Sequence, residues 1–230
     1  MQVFEMRKKD DAEAEILLYE VIGMDWRGSS KRFVEDLTKL GPLSKLNLRI
    51  NSPGGSVFEG LAIYNALVRH AARVTVHVDG IAGSIASVVA MAGDEIKIAA
   101  NAMFMIHKPF ALTEGTAGEL RAIADLLDKT EETIVGIYAG RTKQEPKKIS
   151  KMLATETWLN AEEAVAGGFA DEVVGAFEPK NQADVLKILA ECDNPAARKW
   201  LLEQTEAKPA PQKLSAMLAD FELLRAANAA

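Results

Sequence analysis

A layered α/β fold is the architecture this sequence predicts, and three observations predict it. Apolar runs of strand length alternate with stretches of helical spacing from about residue 16 to residue 174. The segment Leu46 to Val78 runs strand, glycine loop, helix, strand, the order of a parallel unit closed by a right-handed crossover. With 230 residues and 48% hydrophobic composition, the chain can bury one sizeable core, with enough left over for an appendage rather than a second full domain.

Taken in order, Ile16-Leu17-Leu18-Tyr19-Glu20-Val21-Ile22 ends at Gly23 and reads as a first strand. A helix is expected from about Lys31 to Leu40, closed by Gly41-Pro42. Leu46, Leu48 and Ile50 alternate with Asn47 and Arg49, giving a second strand that stops at Asn51-Ser52-Pro53-Gly54-Gly55. From Glu59 to His70 the apolar positions suit a buried helix, and Val74, Val76 and Val78 then alternate with Thr75, His77 and Asp79. Ile85 to Ala92 reads as a helix of small residues, and Glu95 to Ile98 and Met103 to Ile106 as short strands.

Between Gly118 and Gly140, the positions Leu120, Ile123, Leu127, Thr130, Ile134 and Ile137 advance by alternating steps of three and four, the seam of a long amphipathic helix. Such a seam serves a core or a subunit contact, and the spacing does not choose between them. Asn160 with Glu163 forms a capping box for a helix ending at Gly167-Gly168, before the strand-like Glu172-Val173-Val174. Beyond Pro179 the character changes to helical patches and a Lys208-Pro209-Ala210-Pro211 linker. The expected division is a main domain over 1–178 and a helical extension over 179–230.

A formal charge of −6 gives no basic footprint for nucleic acid. The single cysteine, Cys192, cannot form an internal disulfide. The first residues carry charges where a signal peptide needs its apolar segment, and the least polar stretch, Gly80 to Gly93, is too short and too rich in glycine and serine to span a bilayer. A cytoplasmic protein, without membrane or nucleic-acid partner, is therefore expected.

Ser84 lies in Gly80-Ile81-Ala82-Gly83-Ser84-Ile85-Ala86-Ser87, where tiny side chains let another backbone approach a hydroxyl. Of the three histidines, His107 alone follows a wholly apolar strand, which makes it the best base for that hydroxyl. No spacing of His, Cys, Asp and Glu matches a zinc site, and no lysine follows Gly54-Gly55 as a phosphate loop would require. No metal or organic cofactor is expected.

Several separated motifs together resemble the proteolytic subunit of the Clp protease, ClpP: Ile50-Asn51-Ser52-Pro53-Gly54-Gly55-Ser56-Val57, Gly60-Leu61-Ala62-Ile63-Tyr64, the Gly80 to Ser87 run, and Met105-Ile106-His107-Lys108-Pro109. The likeness extends from about Ile16 to Val174. It implies a ClpP/crotonase-like fold of layered strand-strand-helix units with a long handle helix. It also implies a serine endopeptidase with Ser84 as nucleophile, His107 as general base, and an oxyanion hole formed by the amides of Gly55 and Ile85. Where ClpP has an aspartate shortly before Phe-Leu-Ser-Ala, this chain has Glu156 before Trp158-Leu159-Asn160-Ala161, which makes Glu156 the third member. Asp171 is the nearest competing carboxylate, at a position that is structural in the family.

The segment Glu156 to Val165, the different N-terminus and the helical C-terminal extension resemble the ClpP-related head maturation proteases of tailed phages and prophages. That branch implies cleavage of capsid or scaffold precursors within assembling proheads, and the likeness to ClpP implies a homo-oligomer, a heptameric ring or stacked rings. The N-terminus does not match the axial gate of ClpP, so coupling to an unfoldase ATPase does not carry over with the rest. Two other readings stand beside it. A signal-peptide-peptidase-like Ser-Lys hydrolase would need a lysine base and leaves His107 unexplained. A catalytically silent ring or scaffold subunit would leave Ser84 and His107 without a purpose.

Overall fold

The structure is a computed structural model that describes residues 4–23 and 29–175. The helical extension expected over 179–230 lies outside the described residues. The chain opens with β1 (Phe4–Lys8) and β2 (Glu13–Leu18), followed by α1 (Ser30–Lys39), β3 (Lys45–Ser52), α2 (Val57–Val68) and β4 (Arg73–Gly83). Then come α3 (Ile85–Ala90), β5 (Glu95–Ala99), β6 (Met103–Ile106), α4 (Ala117–Thr142), α5 (Pro146–Ala154), β7 (Thr157–Leu159), α6 (Ala161–Ala166) and β8 (Glu172–Val174). This is the mixed α/β architecture expected, built on one eight-stranded sheet.

The main path of the sheet runs β1-β2-β3-β4-β5-β8. β1 pairs antiparallel with β2, and the pairs from β2 through β3, β4 and β5 to β8 are parallel, joined by helical connections as parallel pairing demands. Strict alternation sets the core: Leu46, Leu48 and Ile50 of β3 and Val74, Val76 and Val78 of β4 are buried, and Arg49, His77 and Asp79 point to the opposite face. On that face Arg49 forms a two-pronged ion pair with Asp79, which also accepts from the Tyr19 hydroxyl at 2.7 Å.

β4 is eleven residues long and serves two partners in succession. Thr75 to Val78 pair with β5, and Ile81 to Gly83 pair with β6, which in turn pairs antiparallel with β7. The strand therefore carries the Gly80-to-Gly83 run away from the main path and delivers Ser84 at its end.

Several boundaries differ from expectation. The first predicted strand stops at Leu18 rather than Ile22, and Ile22 makes only an isolated parallel bridge to Gly55. β1, α5 and β7 were not expected as elements. Along the seam of α4 Thr130 and Ile134 are buried, Ile123, Leu127 and Ile137 half-buried and Leu120 exposed, while Val135 and Tyr138, outside that seam, are buried as well. Among the described residues no helix is long and apolar enough to cross a membrane.

Candidate active site

Ser84 caps α3 with φ 52° and ψ −128°. A positive φ is costly for a residue with a Cβ, about 1–3 kcal/mol, and it persists only where the surroundings over-determine it. Here they do. The Ser84 amide donates to the Met105 carbonyl at 2.8 Å, and the Ser84 carbonyl accepts from the Ser87 amide at 3.0 Å and from the Ser87 hydroxyl at 2.5 Å. The same hydroxyl lies 3.2 Å from the Met105 carbonyl and 2.7 Å from the Tyr138 hydroxyl.

Carbonyls only accept, so the single Ser87 proton is committed to them and Tyr138 must be the donor to Ser87. Ser87 is fully buried and Tyr138 nearly so. Burial pushes the Tyr138 hydroxyl well above its ordinary pKa, so it stays a protonated donor. This relay ties the turn that bears Ser84 to the strand that ends before His107, and both to α4.

β6 runs parallel to β4 with Gly83 opposite Met105, so its end lies beside the Ser84 turn. His107, the next residue after β6, places Nε2 2.7 Å from the Ser84 hydroxyl oxygen. Its neighbour Lys108 is fastened on two sides, by its amide to the Leu153 carbonyl at 3.2 Å and by its ammonium to Glu131 of α4 at 2.9 Å. The lysine adjoining the site is thus held by a carboxylate, and the imidazole occupies the position at the serine. Phe110 meets the His107 ring edge-on at 5.7 Å between centroids and is otherwise exposed.

The β6–β7 register pairs Phe104 with Leu159, Met105 with Trp158 and Ile106 with Thr157. One further step sets Glu156 opposite His107. The Glu156 carboxylate Oε2 lies 3.8 Å from His107 Nδ1, and its other oxygen accepts from the Trp158 indole at 3.2 Å. The first distance is an ion-pair separation, about 1 Å beyond a hydrogen bond. Such bonds are often long before substrate binds.

Glu156 also carries a positive φ, 48°, in the turn that leaves α5. Among the described residues the non-glycine positions with positive φ are Ser84, Lys143 and Glu156, so two of the three lie at this one site. Asp171, the competing carboxylate, is engaged elsewhere: it accepts from the Ile96 amide at 2.7 Å and from Arg141 at 2.5 Å.

The Pro53-Gly54-Gly55 loop presses on the same turn. Ser52, fully buried, donates to the Glu20 carbonyl at 2.6 Å and accepts from the Gly54 amide at 3.2 Å. Ile22 bonds to Gly54 and Ser56 on either side of Gly55, so Gly55 turns its own N–H away from Ile22. Neither the Gly55 nor the Ile85 amide has a hydrogen-bond partner among the described residues. A side chain at Gly54 would come within 2.7 Å of the Ser84 Cβ and 3.1 Å of the Ile85 nitrogen. Gly54 is a site residue that spacing did not single out. Its signal in the sequence is the doubled glycine Gly54-Gly55.

The other two histidines sit apart from this chemistry. His70 accepts from the Ala72 amide at 3.1 Å, and burial holds its pKa below the ordinary value. On the polar sheet face, His77 is shifted the same way, by burial first and by Arg49 second.

A hydroxyl on a strained strand-to-helix turn, an imidazole in hydrogen-bond contact with it, and a carboxylate 3.8 Å from the far side of the ring resemble the constellation of the serine hydrolases, which recurs on unrelated folds. The fold narrows the assignment. The family model described as Clp protease matches residues 6–176, and the chain belongs to that family. It is similar to the ATP-dependent Clp protease proteolytic subunit 3 of Streptomyces coelicolor, with 38% identity over 140 residues, 60% of this chain and 64% of the relative. The chain thus matches somewhat less than two thirds of that relative's length.

Proposed function

We propose that this chain is a serine endopeptidase, and the observation that carries the reading is the 2.7 Å contact between His107 Nε2 and the Ser84 hydroxyl. His107 takes the Ser84 proton as the oxygen attacks a peptide carbonyl. The amides of Gly55 and Ile85, which no other group among the described residues claims, receive the oxyanion. Protonated His107 then gives its proton to the leaving amine, and water hydrolyses the acyl-enzyme through the same base. Glu156 keeps the imidazole in the tautomer with hydrogen on Nδ1. The positive φ at Glu156 supports that role, because a turn of this shape favours glycine and tolerates a carboxylate only at a cost. Substrate lies extended beside the Pro53-Gly54-Gly55 turn, bound through backbone hydrogen bonds.

The substrate class rests on the resemblance of Glu156 to Val165, of the N-terminus and of the expected C-terminal extension to head maturation proteases: a capsid or scaffold precursor, cut during prohead assembly. The working form is a ring-shaped homo-oligomer. The exposed Leu120 and Leu126 on the first half of α4 support it, since they leave large apolar side chains in water. This reading leaves coupling to an unfoldase ATPase open.

Co-expression with a neighbouring capsid or scaffold precursor tests the substrate directly. Mass spectrometry is expected to find one defined cleavage that vanishes with Ser84→Ala. A precursor left intact by the wild-type chain contradicts the assignment.

A further inference from the structure

Glu156 is the least constrained member of the site. Its side chain is 57% exposed, and a glutamate in water rotates about three bonds, most of whose combinations face away from His107. One contact restricts it. The Trp158 indole nitrogen stands 3.2 Å from Oε1, and indole can only donate, so Oε1 is taken and Oε2 is the oxygen left toward His107 Nδ1.

The backbone explains how the pair is brought together. Trp158 pairs with Met105 in the antiparallel β6–β7 ladder, and side chains two apart on a strand share a face, so Trp158 and Glu156 stand on the same side as Met105 and His107. The positive φ of Glu156 sets it at the head of that ladder. Trp158 is also half exposed, 48%, so its ring is not there chiefly to fill the core.

We propose that Trp158 is a positioning residue: its indole N–H holds the Glu156 carboxylate in the orientation that presents the second oxygen to His107. The inference rests on the reading of Ser84, His107 and Glu156 as a working triad. Trp158 touches no reacting atom and acts only through Glu156.

The test is the rate at which the full-length chain's Ser84 is labelled by a fluorophosphonate, measured to saturation so that the maximal rate and the half-saturating concentration separate. Trp158→Phe keeps the ring and removes the donor. It is expected to lower the maximal rate about five- to tenfold, the weight of one exposed hydrogen bond to a charged group, with half-saturation and melting temperature unchanged. In Glu156→Gln, and in Glu156→Asp, whose shorter arm no longer spans both partners, adding Trp158→Phe is expected to cost nothing further.

Equal losses in all three backgrounds would show that Trp158 acts on packing alone and would overturn the proposal. An unchanged rate in Trp158→Phe, with the wild type labelled normally, would overturn it while leaving the triad standing. A wild-type chain that takes no label defeats the triad reading, and this inference falls with it.

Discussion

Ser84 holds a backbone conformation, φ 52° and ψ −128°, that glycine adopts freely and serine does not. The hydroxyl is kept there against the preference of its own backbone, which predicts a stability cost borne for chemistry. Ser84→Gly and Ser84→Ala both lose the hydroxyl, so comparing them isolates the backbone term. Ser84→Gly is expected to be the more stable by about 1 kcal/mol, the strain relieved less the entropy glycine adds to the unfolded chain. Equal melting temperatures would mean that the turn is unstrained. At this scale the serine and histidine were legible, because a hydroxyl among tiny residues and an imidazole after an apolar strand are unusual in composition alone. The positive φ of Ser84 and Glu156 was not, since neither is a glycine to mark the turn. The Trp158 indole contact was invisible too, for it depends on β7, which spacing did not reveal.

Two loops from separate βα units meet at the site, and glycine sets how closely they approach. The end of β3 is paired beside the end of β4, Ser52 opposite Ala82, so the Pro53-Gly54-Gly55 loop emerges against Gly83 and Ser84. Gly54 has φ 103°, and a Cβ there would lie 2.8 Å from the Gly83 carbonyl as well as 2.7 Å from the Ser84 Cβ. Gly54→Ala is therefore expected to lower the labelling rate of Ser84 at least about a hundredfold, since a shift of about 1 Å at reacting atoms costs that much. It should also depress the melting temperature, and a variant with wild-type rate would show that the two loops are not in contact. The alternating strands β3 and β4 were legible because each places three aliphatic residues at period two. β1 offers only Phe4 and Met6 in that pattern, α5 rests on Ile149 and Leu153 amid lysines, and β7 is three residues long. Signals so short fall below what periodicity can separate from a loop.

Across the molecule, the proposed catalytic constellation is assembled by pairing rather than by proximity along the chain. Parallel pairing of β6 with β4 brings His107 to Ser84, and antiparallel pairing of β7 with β6 brings Glu156 to His107. The buried Tyr138–Ser87 relay fastens both arrangements to α4. Motif order along the chain revealed the fold family and the Ser84–His107 pair. It also singled out Glu156, through its place before Trp158-Leu159-Asn160-Ala161, over Asp171 as the carboxylate beside the imidazole, and Glu156 is the one that lies 3.8 Å from His107 Nδ1; the β6–β7 pairing that puts it there was not legible. The central claim is that His107 activates Ser84, and the most direct measurement is fluorophosphonate labelling of the full-length protein, mapped by mass spectrometry. Label on Ser84 in the wild type that disappears in His107→Ala is the predicted result; label that persists at wild-type rate without the imidazole, or that never reaches Ser84, would contradict it.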